Sequence, residues 1–320
     1  MANAAPHEQA QLLLKQINPQ SWPICIDQLP EGTALVGGAV RDAFLGRHSQ
    51  HPDLDLVVPS DALRHTARLA KTFGGKRVVL DEQRDIARLV LKGWTIDLAR
   101  QEGHCLEDDL WRRDYSLNAI ALPLRPLAPL CDPTGGIDDL KRGRLRAVRE
   151  QNLIDDPLRL LRGLRLLAEI PLVLDTETGE WIQRHRQALV ESAPERILAE
   201  LQRLVKGTHA DHSLDLLKRW QLLQPWGTTP QTLSKHDTTL LRTAEVAVAL
   251  PLARLTNLIS DDGLKRLKAS KVLQQRCARL RHWILQAKQQ PEALPEQERL
   301  QLHLELEADL AALILSLPME

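Results

Sequence analysis

Hydrophobic and polar positions follow two different rhythms along this chain, and the change falls near its middle. Between Ala34 and about Val148, short apolar runs of period two predict strands at 34–36, 54–58, 76–80, 87–91, 95–98 and 119–124. Runs with helical spacing at 39–45 and 60–72 lie among them, and an amphipathic helix is predicted at 8–17. After about Gln151 the strand signals disappear. Leu-rich segments of helical period take over at 157–169, 177–190, 194–205, 214–220, 240–249, 264–286 and 297–316. The pattern predicts a mixed-sheet α/β head followed by an all-α neck and body. No internal repeat or low-complexity tract is present.

The stretch from Leu35 to Val58 carries the densest chemistry. Gly37 and Gly38 stand between a short strand and the helix at 39–45, with Gly46 where a left-handed cap would end it. The glycine pair lets a ligand approach the backbone, and the first-turn N–H groups beyond it favour an anion such as a polyphosphate. Farther on, Asp53-Leu-Asp-Leu-Val-Val alternates acid and apolar. Period two puts Asp53 and Asp55 on one face and Leu54 and Leu56 on the other. Such a carboxylate pair suits Mg²⁺, which keeps waters and takes its remaining ligands from substrate phosphates. Either feature alone is equally a turn or a solvated strand face; the combination is more specific.

Composition narrows the class. The 320 residues are 43% apolar, enough for two or three domains. Lys plus Arg and Asp plus Glu both number 42, and this zero sum leaves nucleic-acid binding open because the placement of charge decides it. Cys25, Cys105, Cys131 and Cys277 are scattered without metal spacing, which fits a reducing cytosol and predicts buried thiols. No leader pattern and no apolar run of 18 residues occurs, so a soluble cytoplasmic protein with no membrane partner is expected.

Three later motifs follow in order. They are Arg112-Arg113-Asp114-Tyr115-Ser116-Leu117-Asn118-Ala119-Ile120-Ala121, then Asp132-Pro133-Thr134-Gly135-Gly136-Ile137-Asp138-Asp139-Leu140, then Asp155-Asp156-Pro157-Leu158-Arg159-Leu160-Leu161-Arg162-Gly163-Leu164-Arg165. With the glycine and aspartate pairs they resemble the nucleotidyltransferase superfamily, specifically the class II tRNA CCA-adding enzymes and poly(A) polymerases, over roughly residues 34–205. Tyr115, Ser116 and Asp155 stand where the family usually has Phe, Thr and Glu.

The resemblance implies an α+β fold with a polymerase-beta-like nucleotidyltransferase head at 21–148, behind an N-terminal helix within 1–20. A helical neck recognising the nucleotide would occupy 149–207, and an RNA-binding body 208–320. It implies two Mg²⁺ ions held by Asp53 and Asp55, with Asp97 either a third carboxylate or only a strand-end acid. Gly37, Gly38, Arg41, Arg113, Asp114 and Asn118 are implied at the ribose and triphosphate. The segment at 132–140 is similar to the family's hinge between head and neck, and 192–201 resembles a neck helix that opens with a capping box, Ser192 to Glu195.

In the third motif Asp155 or Asp156 can cap a helix whose arginines, Arg159, Arg162 and Arg165, share one broad face. The resemblance makes Asp156 and Arg159 the base-reading pair, with Arg162 and Arg165 supporting that pair or reaching phosphate. Cytosine and adenine both present an exocyclic amino donor beside a ring-nitrogen acceptor, which a carboxylate and a guanidinium can meet. Uracil and guanine reverse both groups and are repelled.

Partners follow from the basic stretches and the family. Lys141 to Arg165 holds eight Lys/Arg against three acids, and Gly263 to Arg281 holds seven and no acid. Lys265, Arg266, Lys268, Lys271, Arg276 and Arg279 are therefore candidate tRNA contacts, although a basic helix is as often only solubilising. Some relatives carry a His-Asp phosphohydrolase domain in this region. Here 255–262 lacks histidine and His236-Asp237 has no partners at ligand spacing, so that activity is not expected.

The activity implied is template-independent addition of nucleotides to the tRNA 3′ end, from CTP and, in the full reaction, ATP. In the family a flexible loop between the third acid and the R-R-D motif is implicated in switching the pocket from C to A. Only eleven residues, Leu98 to Asp108, separate Asp97 from Asp109 here, a span of at most about 36–40 Å that leaves little slack. Relatives restricted to two cytidines are similar in having this loop shortened. The expectation is a CC-adding enzyme with a separate A-adding partner. Its alternatives are a complete CCA-adding or A-adding enzyme, a poly(A) polymerase, and a non-catalytic RNA-binding protein.

Overall fold

The computed structural model describes residues 6–47, 51–227, 238–289 and 294–317. The chain forms two compact units, Met1–Asn152 and Leu153–Glu320. In the first, β1 (Ala34–Val36), β2 (Leu54–Val58), β3 (Lys76–Asp81), β4 (Ile86–Leu91), β5 (Trp94–Arg100) and β6 (Ala121–Pro123) build a six-stranded sheet in the order β3-β4-β5-β2-β1-β6. Only β2 and β5 run parallel; the other neighbours are antiparallel. Each of the six predicted strands forms.

Helices α1 (Pro6–Ile17), α2 (Gly38–Phe44), α3 (Ala62–Phe73), α4 (Leu106–Trp111) and α5 (Gly136–Lys141) complete this unit, and α6 (Glu150–Asp155) runs across the division. Register puts Ala34, Val36, Val57 and Ala121 on one face of the sheet, where they pack with Leu110 of α4 and with Val148. The alternate residues Leu35, Leu54, Leu56, Ile96 and Leu98 are buried on the other face, and α2 and α3 pack against these strands. The first face continues past its apolar end into Asp55, Asp97 and Arg88, so the sheet that forms the core also aims the acids.

The second unit holds α7 (Leu158–Glu169), α8 (Thr176–Arg184), α9 (Pro194–Lys206), α10 (Ala210–Arg219), α11 (Thr243–Leu258), α12 (Asp261–Arg266), α13 (Lys271–Gln289), α14 (Glu296–Leu306) and α15 (Leu310–Ile314). Helix α7 packs against α9 and α10, and α11 against α9, α13 and α15. Among the described residues no helix is long and apolar enough to cross a membrane.

Several expected helices are interrupted. The run at 264–286 breaks between α12 and α13, where Lys268 takes a left-handed φ of 54° and the Ser270 hydroxyl accepts from Leu273 N–H to start the next helix. The run at 177–190 divides into α8 and a 3₁₀ turn, Arg186–Glu191. Helix α11 instead extends through Pro251, because Leu252, Ala253, Leu255 and Leu258 are all buried and their packing outweighs one lost hydrogen bond. Strand structure also persists beyond Gln151, in the extended pair Val173–Leu174, where Pro171 bars a helix. The expected capping box does not form: Ala193 is the N-cap of α9, and the Ser192 hydroxyl is buried with no hydrogen-bond partner. The His236-Asp237 pair lies outside the described residues.

Candidate active site

The acids fall in one row across the sheet. Asp55 on β2 is in register with Asp97 on β5, and Asp97 is in register with Arg88 on β4, so all three point to the same face. Asp53, exposed and immediately before β2, lies close enough to add its charge to Arg88, and strand parity extended one residue back would place it on that face. The Arg88 guanidinium grips Asp97 with both ends, Nε to Oδ1 at 2.8 Å and Nη2 to Oδ2 at 2.9 Å. That hydrogen bond raises the affinity of Arg88 for its proton, with Asp53 and Asp55 adding to the pull. Arg88 was invisible as a site residue in the sequence; its only signal is its place opposite an acid in the next strand.

A divalent ion is implied by the family, and the donors fit one in part. Asp53 and Asp55 offer carboxylate oxygens only. Among the described residues no three His, Cys, Asp or Glu side chains could hold a metal by themselves. Mg²⁺ keeps several waters and completes its octahedron with substrate phosphates, so two carboxylates meet its needs. Asp97 is engaged by Arg88, which leaves it a supporting member of the row.

The glycine turn borders these acids. Gly37 has φ 73° and ψ −137°, a conformation that L side chains avoid. A Cβ on it would stand 3.0 Å from Asp55 Oδ2 and 3.9 Å from Arg113 Nη1. Backbone, acid and arginine therefore meet where only glycine fits. Gly38 opens α2, a helix of seven residues ending at Phe44 with Gly46 beyond it at φ 65°.

The R-R-D motif folds as a buried brace. Asp114 is 5% exposed, and its Oδ1 accepts from Tyr115 N–H at 2.8 Å and from Asn118 Nδ2 at 3.3 Å. Asn118 Oδ1 accepts from Arg41 Nη1 at 2.7 Å, while Arg41 Nε and Nη2 reach Asp42 at 2.9 and 3.0 Å. Arg41, expected to touch the nucleotide, is thus inside the protein and holds Asn118 in place. Asp114 does the same from the other side. Arg113 is different: Nε and Nη2 lie 3.3 and 2.9 Å from Asp109 Oδ2, and the remaining nitrogen is the one beside Gly37.

The connection from β5 to α4 is five residues, 101–105, and it is tied at almost every step. Gln101 N–H donates to Val58 O at 2.7 Å, Glu102 N–H to Asp109 Oδ1 at 3.2 Å, and His104 N–H to Asp108 Oδ2 at 2.8 Å. Gly103 supplies the turn at φ 90°. Asp109 thereby anchors both the loop and Arg113.

The segment at 132–140, expected as a hinge between head and neck, lies inside the first unit and is densely hydrogen-bonded. Asp132 caps α5 by accepting from Gly136 N–H at 2.7 Å and Ile137 N–H at 2.9 Å. Asp139, with no exposed surface, accepts from Ser116 Oγ at 2.6 Å, Arg144 Nε at 2.6 Å and Arg146 Nε at 2.9 Å. Proline and glycine read as freedom in the sequence, yet here they make a tight approach: a Gly136 Cβ would stand 2.0 Å from Ser116 O.

The remaining candidates lie in the second unit. Pro157, not an aspartate, is the N-cap of α7, and Asp156 Oδ1 accepts from Leu158 N–H at 3.3 Å. Arg159 and Arg162 are partly exposed. Arg165 is a correction. It is 4% exposed and its guanidinium is taken by Glu200 at 2.5 Å and Glu169 at 2.6 Å, so it joins helices and does not face a ligand.

The basic stretch at 263–281 also changes in three dimensions, because acids both adjacent to it and distant in sequence pair with it. Arg266 pairs with Asp262 at 2.8 Å, Lys268 with Glu195 at 2.6 Å and Arg276 with Asp309 at 2.6 Å. Lys265, Lys271 and Arg279 are exposed. The cysteines are not uniformly buried either: Cys25 and Cys105 are exposed, Cys131 is half-buried and Cys277 buried. Burial pushes the Cys131 thiol up to about 12, which makes it a packing group and a poor nucleophile.

Comparison with known proteins gives the same region a family. Residues 33–146 match the poly A polymerase head domain, and residues 172–228 match a family described as the probable RNA and SrmB-binding site of polymerase A. The second match begins in the expected neck and runs into the first part, 208–228, of the expected RNA-binding body. A CC-adding tRNA nucleotidyltransferase of Synechocystis sp. is 42% identical over 209 residues, 65% of this chain and 50% of that protein. An A-adding tRNA nucleotidyltransferase of Deinococcus radiodurans is 38% identical over 199 residues, 61% of this chain and 44% of that protein. The chain spans about half the length of these curated relatives. A solved CCA-adding enzyme with ATP has the same fold, with a TM-score of 0.71 at 21% identity over 97% of this chain and 82% of that one. Head domain, ordered motifs and fold all resemble those of the CCA-adding tRNA nucleotidyltransferases and poly(A) polymerases, and residues 33–146 belong to the poly A polymerase head-domain family.

Proposed function

We propose that this protein adds nucleotides to the 3′ end of tRNA without a template, using CTP and stopping after two cytidines. The observation that carries the reaction is the acid row, Asp53, Asp55 and Asp97, set against the side-chain-free turn at Gly37. Asp53 and Asp55 would hold two Mg²⁺ ions, which supply activation of the RNA 3′-hydroxyl and charge neutralisation on the triphosphate and departing pyrophosphate. Gly37 and Gly38 leave the backbone open to the triphosphate. Arg113, fixed by Asp109, offers Nη1 to phosphate charge. Asn118, braced by Arg41 and Asp114, is set for the ribose.

Base choice is assigned to α7. Asp156 would accept from the exocyclic amino group and Arg159 would donate to the ring nitrogen, a pairing open to C and A and closed to U and G. Replacing Asp156 with alanine is expected to cut CTP over UTP discrimination by roughly ten- to a hundredfold while changing triphosphate affinity little, since the phosphates are held elsewhere. Single-nucleotide kinetics with both substrates measure it; undiminished exclusion of UTP would remove Asp156 from base selection.

The domains divide these tasks as a head at 21–148, a neck at 149–207 and a body at 208–320. RNA contact falls on 172–228 together with the exposed Lys265, Lys271 and Arg279. Free cysteines fit the reducing cytoplasm as the compartment.

The stop after CC is supported by the pinned connection at 101–105, which has no length to act as a lever between two pocket states. A separate enzyme would then add the terminal adenosine. The test incubates purified protein with tRNA transcripts ending before CCA, after C and after CC, supplied with CTP, ATP or both. Addition that halts at CC supports the proposal. Efficient A addition to the CC-ending transcript makes it an A-adding or complete CCA-adding enzyme, and long A tails on any RNA make it a poly(A) polymerase.

A further inference from the structure

We propose that Arg196 is a positioning residue that sets nucleotide specificity by fixing the Asp156 carboxylate. This rests on the assignment of Asp156 and Arg159 as the base-reading pair.

The inference comes from a ladder of ion pairs between α9 and the segment around α7. Arg196, Glu200 and Arg203 lie at i, i+4 and i+7 on α9, one stripe of a helix. Each meets a group of opposite charge. Arg196 Nη2 lies 3.2 Å from Asp156 Oδ2, Glu200 Oε2 is 2.5 Å from Arg165 Nε, and Arg203 Nε is 3.2 Å from Glu169 Oε1. Glu195, the preceding residue, points instead to Lys268 at 2.6 Å, so helical phase alone brings Arg196 to Asp156.

The rungs differ in what they can do. The Glu200 rung is mostly buried, with the Arg165 side chain 5% exposed and Glu200 15%, and it fastens the two helices. The Arg203 rung is a surface pair on Glu169, far from the base-reading position by three helical turns. Only the Arg196 rung touches a group assigned to the base. Asp156 has one oxygen toward Leu158 N–H and the other toward Arg196. Each carboxylate oxygen has two lone-pair sites, so this double tether fixes the plane of the carboxylate and still leaves an acceptor site for an amino group. A carboxylate free to rotate could also turn away from uracil's carbonyl and tolerate it; one held in plane cannot. An exposed pair of this kind adds little to stability, so its effect belongs in the chemistry of selection.

The test compares Arg196→Met, Arg196→Lys, Arg203→Met, Asp156→Ala and the Asp156→Ala/Arg196→Met double variant. For each, kcat/KM for CTP and for UTP is measured on a tRNA transcript lacking CCA, with thermal melting in parallel. Arg196→Met is expected to lower CTP over UTP discrimination about tenfold, the scale of one charge-assisted hydrogen bond, mainly through KM for CTP, with melting unchanged. Arg196→Lys should recover part of the loss, Arg203→Met should leave discrimination intact, and the double variant should be no worse than Asp156→Ala. If Asp156→Ala disturbs discrimination and Arg196→Met does not, the positioning role is wrong while the base-reading assignment stands. An equal loss in Arg203→Met, or additive losses in the double variant, would also overturn the positioning role. Discrimination unaffected by Asp156→Ala would remove the base-reading assignment and this inference together.

Discussion

Alanine at Asp53 or Asp55 is expected to reduce nucleotide incorporation by at least about a thousandfold, because a two-metal transfer loses the groups that hold both ions. The fold should survive. Asp53 is exposed and Asp55 only partly buried, so neither truncation opens a cavity in the core, whose apolar residues sit on the alternate positions Leu54 and Leu56. Loss of one negative charge from a face that already carries Asp53, Asp55 and Asp97 also relieves repulsion. The melting temperature should therefore stay level or rise slightly while activity disappears. The measurement is incorporation of labelled CTP into a transcript lacking CCA, in saturating Mg²⁺, beside circular dichroism of the same preparation. Incorporation within tenfold of the parent by either variant, with the parent active, would place the chemistry elsewhere.

The site's skeleton was readable in the sequence because it is local. Gly37 precedes a helix that Gly38 opens, and Asp53 and Asp55 are spaced by strand parity, so neighbours in the chain suffice to place them. What stayed hidden depends on partners brought together by folding. Asp97 stands opposite Arg88 only once β4 and β5 close as a hairpin through Lys92-Gly93, and that pairing is what changes the meaning of Asp97. Arg41 and Asp114 were expected at the nucleotide, and Arg165 in support of the base-reading pair or at phosphate, because the family resemblance implies it. Each proves to be a brace: Asp42, Glu169 and the Asp114–Asn118 contact are near neighbours in the chain, but Asn118 on Arg41 and Glu200 on Arg165 arrive only through folding. The basic run at 263–281 is partly neutralised for the same reason: Glu195 and Asp309 are remote in sequence and adjacent in space. Helix breaks were missed where a single residue, Lys268, adopts a left-handed backbone that its side chain does not advertise.

The segment at 132–140 supplies the second large effect. Asp139→Ala is expected to destabilise the first unit by about 3–5 kcal/mol, the usual consequence of removing one partner from a buried ion pair. Asp139 is fully buried and receives Ser116, Arg144 and Arg146; without it two guanidinium groups lose their counter-charge and a buried hydroxyl loses its acceptor. Domains of this size commonly have only about 5–15 kcal/mol in total, so the variant should melt roughly 6–20 °C lower. Asp139→Asn keeps one acceptor but turns an amide N–H₂ toward an arginine, and should fall between the parent and the alanine variant. Because Ser116 belongs to the segment that carries Asn118 and Arg113, activity should decline in step with unfolding and persist at low temperature. A hinge would behave differently, with turnover changing at every temperature and melting left in place. Thermal melts and low-temperature incorporation assays separate the two, and a melting point within a degree of the parent would return the motif to the role of a hinge.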